Sequence, residues 1–457
     1  MAKTPRLNPY HRLICRLYEA LFLLYILGGV RGPHLIAHLD LSTTLAIQRR
    51  FLKNLAFLCD YKKGGPTTVA VAVENRHDCH LFWISSNEGP SEAVVSFLKS
   101  IIQSVKAFQV LSEDQKNQAE NELMSTCVDF ARLRVKKQAH NLVNLVTKCQ
   151  KYITENFIDE RVGWLQKFKD SPRQDLVAIC QETWKGRKDP SMALLLRLSR
   201  EPVDEDAAVP LEIAGMCRKI RHLIGRLANH VRAVRELLED GSRLNALLDV
   251  FDVAPVPVPT CVSRPQADEH TNLRGVLTRM LSKDDPRLPE ISGYLSNLDS
   301  QTSLEQTLQT YFSPDHPQPC VHAEVQMLHH FYDNDRVFYA GDPYIVASKP
   351  ACFCCKLYFR HHPASYEEPG SHEKVHRKWG PIFLLGGCSN SGWTVHREVL
   401  QKVMRDISKE IFKQVERRTT PVAYHPDTLT ELTADADSDH DIPEDGSDID
   451  SDGGAEI

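Results

Sequence analysis

The spacing of apolar residues near the start of the chain predicts one helix followed by two strands. In residues 42–60 the apolar positions recur every three or four residues, which is the period of an amphipathic helix; they are Ile47, Phe51, Leu55 and Leu58. Two runs with strand character follow at residues 67–74 and 80–85, and the polar residues 75–78 between them are typical of a hairpin turn.

The stretch before this helix is the most apolar part of the chain. Arg16 and Glu19 interrupt it, so that only residues 20–30 form an uncharged run. A membrane span needs about 20 apolar residues. We therefore expect residues 1–41 to be a helical N-terminal extension with a buried helix, and we expect no membrane association.

Helical periodicity dominates the long middle of the chain. It runs through residues 91–252, returns in residues 272–312 and again predicts a helix over residues 394–418. Residues 253–265 contain four prolines and predict a linker, which extends to about residue 270.

One helical segment, residues 208–240, combines an apolar face with a row of basic residues before the first acid at Glu236. The basic residues are Arg218, Lys219, Arg221, Arg226, Arg232 and Arg235. Such a helix can bind nucleic acid or a membrane surface. The alternative is that the basic residues are the solvated face of a helical bundle.

Charge is distributed unevenly along the chain. Residues 427–457 hold twelve Asp or Glu and no Lys or Arg, so the net charge of −5 conceals a body with a net charge of +7. We expect residues 421–457 to be a disordered acidic tail. The mildly basic body is compatible with a polyanionic partner.

Composition and cysteine usage indicate a globular protein in a reducing compartment. Hydrophobic residues make up 42% of the chain and charged residues 25%, which is ordinary for globular domains. The thirteen cysteines form no framework, and the chain does not begin with a secretory pattern. We expect a cytoplasmic or nuclear location, with thiols that bind metal or fill cores.

The residues that carry chemistry lie between residues 318 and 390. His322-x-Glu324 opens a short helical pattern, and thirty residues further on stands Cys352-x-x-Cys355. Residues 337–339 and 344–347 have strand character. A catalytic zinc ion takes three protein ligands and leaves a fourth position open, and one imidazole with two thiolates at a helix start supplies such a set.

Glu324 distinguishes this pattern from a purely structural site. It follows His322 by two positions and can move protons without being a ligand, whereas a zinc knuckle that only staples the fold has no use for a general base. Cys354 is an extra thiol that could compete with Cys355 as a ligand.

With these residues the sequence resembles the cytidine deaminase-like superfamily, whose signature is H-x-E followed by P-C-x-x-C. The similarity is greatest to a fungal branch of predicted nucleic-acid or nucleotide deaminases. Ser348-Lys349 and Gly370-Ser371-His372-Glu373-Lys374 with Trp379 carry that similarity. The chain departs from the signature at Pro350, which precedes Cys352 by two positions instead of one.

The resemblance implies a three-layer α/β fold and a discontinuous deaminase-like domain. Its first part would be residues 42–90, its zinc-binding part residues 316–420, and residues 91–315 a mainly helical insertion between them. Asn87 stands where relatives place a substrate-contacting asparagine. The resemblance implies substrate contacts for Asn87, Ser348, Lys349, His372 and Trp379.

The reaction that the resemblance implies is zinc-dependent hydrolytic deamination of a cytosine or adenine base. A nucleic-acid substrate would have to be single-stranded or have its base flipped out. Two alternatives stay open: a catalytically inactive, zinc-stapled module that binds nucleic acid, and an interaction scaffold built on the insertion and the tail. The sequence decides neither the base, nor free nucleotide against DNA or RNA, nor the oligomeric state.

Deleting the acidic tail tests the interpretation of the C-terminal residues. Removal of residues 427–457 is expected to leave the melting transition almost unchanged, because the segment has few large apolar residues to bury. It should strengthen any polyanion binding by removing like-charge repulsion. Differential scanning calorimetry of the full and truncated chains measures the first effect; a large loss of thermal stability would mean that the tail is docked.

Overall fold

A computed structural model describes residues 8–36, 40–156, 163–170, 175–199, 210–417 and 426. Apart from residue 426, the predicted acidic tail lies outside the described residues. The fold is mixed α/β, mostly helical, with a small open sheet.

The described residues divide into two compact units. The sheet unit comprises residues 38–256 and 336–349, and the metal unit comprises residues 1–37, 257–335 and 350–424. The elements of the sheet unit are α2 (Thr44–Cys59), β1 (Val69–Asn75), β2 (His80–Ser86), α3 (Glu92–Phe108), α4 (Glu113–Phe130), α5 (Arg132–Asn156), α6 (Gly163–Asp170), α7 (Leu176–Gly186), α8 (Pro190–Ser199), α9 (Leu211–Gly241), α10 (Asn245–Asp249), β3 (Phe251–Pro255) and β4 (Val346–Ala347). Those of the metal unit are α1 (Pro9–Ile26), α11 (Leu273–Met280), α12 (Leu288–Thr302), α13 (Leu304–Tyr311), α14 (Ala323–Tyr332), α15 (Phe353–His361) and α16 (Trp393–Arg417).

The sheet has the strand order β3-β2-β1-β4. β1 and β2 form the predicted antiparallel pair, and β4 pairs antiparallel with β1 through Ala70–Ala347 and Val71–Val346. A discontinuous domain requires the hairpin to share a sheet with the predicted strands of residues 337–347, and the pairing of β1 with residues 346–347 confirms this for the end of that segment. Helix α2 precedes the hairpin as predicted, and the hydroxyl of Thr43 caps it by accepting from the Ala46 N–H.

Two details of the predicted strands are wrong. Residues 337–339 are not a strand: Phe338 makes a single bridge to Glu74, and a 3₁₀ turn at Tyr339–Gly341 follows. Ala340 in that turn has φ +53, which no strand residue adopts. The predicted strand 344–347 is reduced to its last two residues.

β3 is a strand where the sequence predicted the end of a helical region and a proline-rich linker. It pairs in parallel with β2 from His80–Phe251 to Ile84–Pro255. β3 lies at the edge of the sheet, where a proline that lacks an N–H is tolerated. Because β3 is only five residues long and ends in proline, its own pattern does not distinguish it from a loop.

Helix α9 is the central helix of the sheet unit, and α2, α4, α5, α7 and α8 pack against it. Arg221 and Arg226 are buried, and of its basic residues only Arg235 is exposed. The predicted solvated face is therefore only partly present, since two of the six basic residues are buried and the other four are partly or fully exposed. Binding of nucleic acid by α9 stays a prediction. Helices pack around α9, so solvent reaches only part of it.

The segment 336–349 is fastened to the sheet unit by more than β4. The guanidinium of Arg49 on α2 forms a bidentate ion pair with Asp342, with distances of 3.0 and 2.7 Å. Arg336 donates to Glu74 of β1 at 2.9 Å. These contacts hold the polypeptide that leads directly into Cys352.

In the metal unit, α15 packs against α14 and α16, and α1 packs against α16. Helix α1 is buried along most of its length, as its apolar sequence predicts. None of the described helices is at once long enough and apolar enough to cross a bilayer.

Candidate metal centre

The starts of two helices bring three candidate metal ligands together. His322 is the N-cap residue of α14, Cys352 is the N-cap residue of α15, and Cys355 lies in the first turn of α15. The His322 Nδ1 lies 3.6 Å from the Cys352 Sγ and 3.4 Å from the Cys355 Sγ. All three ligand atoms lie within 4.8 Å of one another, and all three residues are buried. They could hold one metal ion.

The donor chemistry of this cluster fits zinc. Thiolate and imidazole ligands at tetrahedral spacing are those that zinc takes in proteins, and three of them leave a fourth position for water or substrate. The Sγ of Cys352 also accepts a hydrogen bond from the Cys355 N–H at 3.4 Å. The partial positive charge at a helix N-terminus stabilises thiolates. The backbone at the start of α15 therefore favours the deprotonated form of cysteine, which is the form that binds a metal ion.

The pKa values of the cluster residues shift because these side chains are buried against one another. Burial acts to raise the pKa of Cys352, but hydrogen bonds from Cys354, Cys355 and His322 outweigh it, and the pKa lies well below that of an ordinary thiol. Burial alone would lower the pKa of His322, yet the charge on Cys352 raises it. Burial raises the pKa of Cys355, so Cys352 is the cysteine of the pair whose thiolate form is favoured.

Glu324 lies in the same helical turn as His322. Its side chain is buried, and burial raises its pKa above that of an ordinary carboxyl group, although His322 partly opposes the shift. It is not one of the cluster's ligands. A buried carboxyl group with a raised pKa beside a cation site can both accept and hold a proton.

Cys354 is not part of the ligand cluster that Cys352 and Cys355 form with His322. It is fully buried, and within the described part of the chain the metal-ligand cluster consists of His322, Cys352 and Cys355 without it. The Cys354 thiol hydrogen-bonds to the Cys352 thiol, but it lies outside the group of ligand atoms that are all within 4.8 Å of one another. The structure thus distinguishes two thiols that the sequence left in competition.

Trp379 contacts a candidate ligand directly. It is completely buried, and its indole Nε1–H donates to the Cys355 Sγ at 3.2 Å. A donor to a ligating sulfur orients the thiolate and reduces its charge density. The predicted contact of Trp379 with a substrate stays a prediction.

His372 lies in a loop whose backbone is paired on two sides. On one side, Leu35 and Ser371 exchange backbone hydrogen bonds of 2.7 and 2.8 Å. On the other side, Ala351 donates to Gly370 at 2.7 Å and accepts from His372 at 3.1 Å. The loop 370–375 therefore lies between the N-terminal segment 29–35 and the start of α15.

Three histidine rings connect this loop to the cluster. The rings of His372 and His376 are 5.3 Å apart, and those of His376 and His322 are 5.7 Å apart. The buried His372 accepts a hydrogen bond from the Lys374 N–H through its Nδ1. The resemblance singled out His372 and not His376, because only His372 falls on the family pattern.

A buried ion pair ties the same loop to α15. The Nζ of Lys356 lies 2.5 Å from a carboxylate oxygen of Glu373, and both side chains are only 7% exposed. Glu373 has φ +56, a conformation that residues other than glycine rarely adopt. The ion pair holds a strained residue next to the ligand Cys355, and sequence reasoning did not foresee this role.

The other predicted site residues belong to the sheet unit and cluster around the turn that precedes β1. Asn87 donates from its Nδ2 to the Gly65 carbonyl at 2.9 Å. Lys349 donates from its Nζ to the Gly64 carbonyl at 3.0 Å. The hydroxyl of Ser348 accepts from the Val69 N–H at 3.2 Å. Their contact with a substrate stays a prediction.

Comparison with known proteins supports a deaminase domain. Residues 321–382 match the model of an OTT_1508-like deaminase family. The matched segment contains the three candidate ligands and Glu324, but it is a minor part of the chain. No curated protein and no solved structure matches the chain.

Substitution of the two neighbouring cysteines tests the ligand set. Cys355→Ala is expected to lose the metal ion that the purified chain carries, because two donors hold zinc far less tightly than three. Cys354→Ala is the matched control and should keep one metal ion per chain. Mass spectrometry of metal content decides between them; metal retained by Cys355→Ala and lost from Cys354→Ala would transfer the ligand role to Cys354.

Replacement of Trp379 tests the hydrogen bond to Cys355. Trp379→Phe keeps an aromatic ring but removes the donor, and loss of such outer contacts typically weakens metal affinity by ~10–100-fold. Competition with a chromophoric chelator measures the affinity, and melting curves check the fold. Trp393→Phe, at a partly exposed position in the same unit, should leave the affinity unchanged. Equal affinities in both variants would contradict the role of the indole N–H.

Proposed function

We propose that this protein is a zinc-dependent hydrolytic deaminase that acts on a cytosine or adenine base in a nucleotide or single-stranded nucleic acid. The observation that carries the proposal is the buried His322–Cys352–Cys355 cluster with Glu324 beside it, inside a segment that matches a deaminase family. A structural zinc site would account for the three ligands but not for a buried carboxyl group that is not one of them.

His322, Cys352 and Cys355 would hold the zinc ion. When bound, zinc lowers the pKa of water enough to supply a nucleophile at neutral pH. The burial of all three ligands excludes bulk water, which strengthens electrostatic interactions within the site.

Glu324 would move the protons of the reaction. Its carboxylate accepts a proton from the attacking water while a C–O bond forms at the amino-bearing carbon of the ring. The same carboxyl group delivers that proton to the ring nitrogen. It then takes the proton of the newly formed C–OH group and transfers it to the departing amine, as the C=O bond forms and the C–N bond breaks. Water and the base thus yield an oxo base and ammonia, and the raised pKa of Glu324 suits a group that must hold a proton between these steps.

The proposed fold is the three-layer α/β arrangement of the cytidine deaminase-like superfamily, interrupted by a mainly helical insertion. Its support is the pairing of β4 with β1, because β4 leads directly into α15 and its ligands. In this proposal the residues around the turn before β1, which are Asn87, Ser348 and Lys349, contact the substrate together with His372. The Ser348-Lys349 pair and the 370–374 motif support the relationship to the fungal branch.

Replacement of Glu324 separates chemistry from metal binding. Glu324→Ala is expected to keep its metal and its melting transition but to lose ~10²–10⁴-fold in turnover, because a general acid–base group is removed. Ammonia release would be measured with cytidine, adenosine, their nucleotides, and single-stranded DNA and RNA oligonucleotides.

The matched control is Glu398→Ala, which removes an exposed carboxylate from the same unit and should leave turnover unchanged. Full activity of Glu324→Ala would refute the mechanism. Absence of activity on every substrate in the zinc-loaded native chain would favour the inactive, metal-stapled module instead.

A further inference from the structure

The sheet unit contains a cavity of about 330 Å³ whose lining is unusually rich in cations. Its lining includes Lys185, Arg187 and Arg235, with Glu120 as the carboxylate among them. We call this cavity the Arg187 cleft. None of its lining residues belongs to the metal unit.

Three helices build the Arg187 cleft. Met124 of α4 and Val231 of α9 are buried and form an apolar part of its lining, and Trp184 of α7 is partly buried beside them. Gly186 at the end of α7 allows close packing, since a Cβ atom there would lie 1.8 Å from the ring of Trp164. A rigid apolar frame thus carries the charged groups.

The two guanidinium groups converge on one aromatic ring. The guanidinium carbon of Arg187 lies 3.4 Å from the centroid of the Trp184 ring, and that of Arg235 lies 5.7 Å from it. Burial lowers the pKa of Arg187, and the charge of Arg235 lowers it further. These two like charges repel each other, and an anion bound between them would compensate the repulsion.

Carboxylates of the protein compensate the repulsion between these cations only in part. Glu120 accepts from the Nε of Arg235 at 2.8 Å. Within the described part of the chain, Lys185 and Arg187 form no ion pair with a carboxylate. The Nη1 of Arg187 donates to the Trp184 carbonyl and so caps the end of α7, but this contact occupies one of five guanidinium N–H groups.

We propose that the Arg187 cleft binds a small phosphate-bearing molecule. Arginine presents a planar pair of N–H donors that matches two phosphate oxygens, and its charge persists when it is partly buried. The cavity volume lies at the lower end of the range for ligand sites, which suits a molecule no larger than a mononucleotide. The remaining polar lining, Gln181 and Asn121, supplies neutral hydrogen-bonding groups.

Calorimetric titration of the full chain with pyrophosphate and with ribose 5-phosphate tests the proposal. Both compounds lack a base, so neither is a substrate of the proposed deaminase, and failure of one proposal does not imply failure of the other. At least one of the two should bind. Arg187→Gln and Arg235→Gln should each weaken that binding by about 10–100-fold, as expected for the loss of a charge-assisted hydrogen bond.

Lys188→Gln is the matched control, because it removes an exposed positive charge adjacent to Arg187 from a residue that does not line the cleft. The affinity of Lys188→Gln for the same compound should stay within about twofold of the native value, because exposed charges contribute little to binding. Melting curves verify that each variant folds, and Arg235→Gln, which is half exposed, keeps the test decisive if Arg187→Gln does not fold.

Three results would overturn the proposal. The first is no binding of either compound at 10 mM, which is about the weakest affinity that such a titration resolves. The second is binding that neither arginine substitution weakens, or that Lys188→Gln weakens equally. The third is arginine-dependent binding of a single-stranded oligonucleotide by a chain that binds neither small compound, which would identify a nucleic-acid surface instead.

Discussion

The site depends on the convergence of two helix N-termini on one point. Two thiols and an imidazole in the protein interior are unfavourable neighbours unless a shared cation or shared protons compensate their charge. Because His322 and Cys352 are both N-cap residues, the backbones of α14 and α15 present them at helix ends whose partial positive charge favours thiolates. A shift of either helix along its axis would separate the donors, so the surrounding structure has to hold both helix starts in place.

Much of the metal unit serves this purpose through backbone pairing. The start of α15 pairs with the loop 370–375, and that loop pairs with residues 29–35 from the far end of the chain. The buried Lys356–Glu373 ion pair locks the loop onto α15 and keeps Glu373 in a left-handed conformation. Strain of this kind persists only where neighbouring contacts over-determine the backbone, which is the situation beside the ligand Cys355.

The sheet unit shows how strands far apart in the amino-acid sequence form one small sheet. β1 and β2 are adjacent in sequence, whereas β3 and β4 reach the sheet only after long excursions of the chain. The entropic cost of closing a loop grows only slowly with the length of the loop, so such excursions are tolerated. The neighbouring helices pack around α9 and bury arginines that an isolated amphipathic helix would expose.

The sequence alone determined the features that short-range patterns record. Helix periodicity located α2, α9 and α16, and alternation and turn residues located the hairpin. The spacing of His322, Glu324, Cys352 and Cys355 identified the candidate metal centre. These features are predictable because residues a few positions apart along a helix or strand share a face whatever the rest of the chain does.

Only the tertiary structure decided the contacts between residues far apart in the chain. It paired residues 29–35 with the loop 370–375, left Cys354 outside the ligand cluster, and placed the indole N–H of Trp379 within hydrogen-bond distance of the Cys355 thiol. It also made a strand of residues that the sequence assigned to a linker, and buried Arg221 and Arg226. Isolated bridges, buried ion pairs and edge strands depend on partners supplied by distant segments, so no local periodicity of the amino-acid sequence records them.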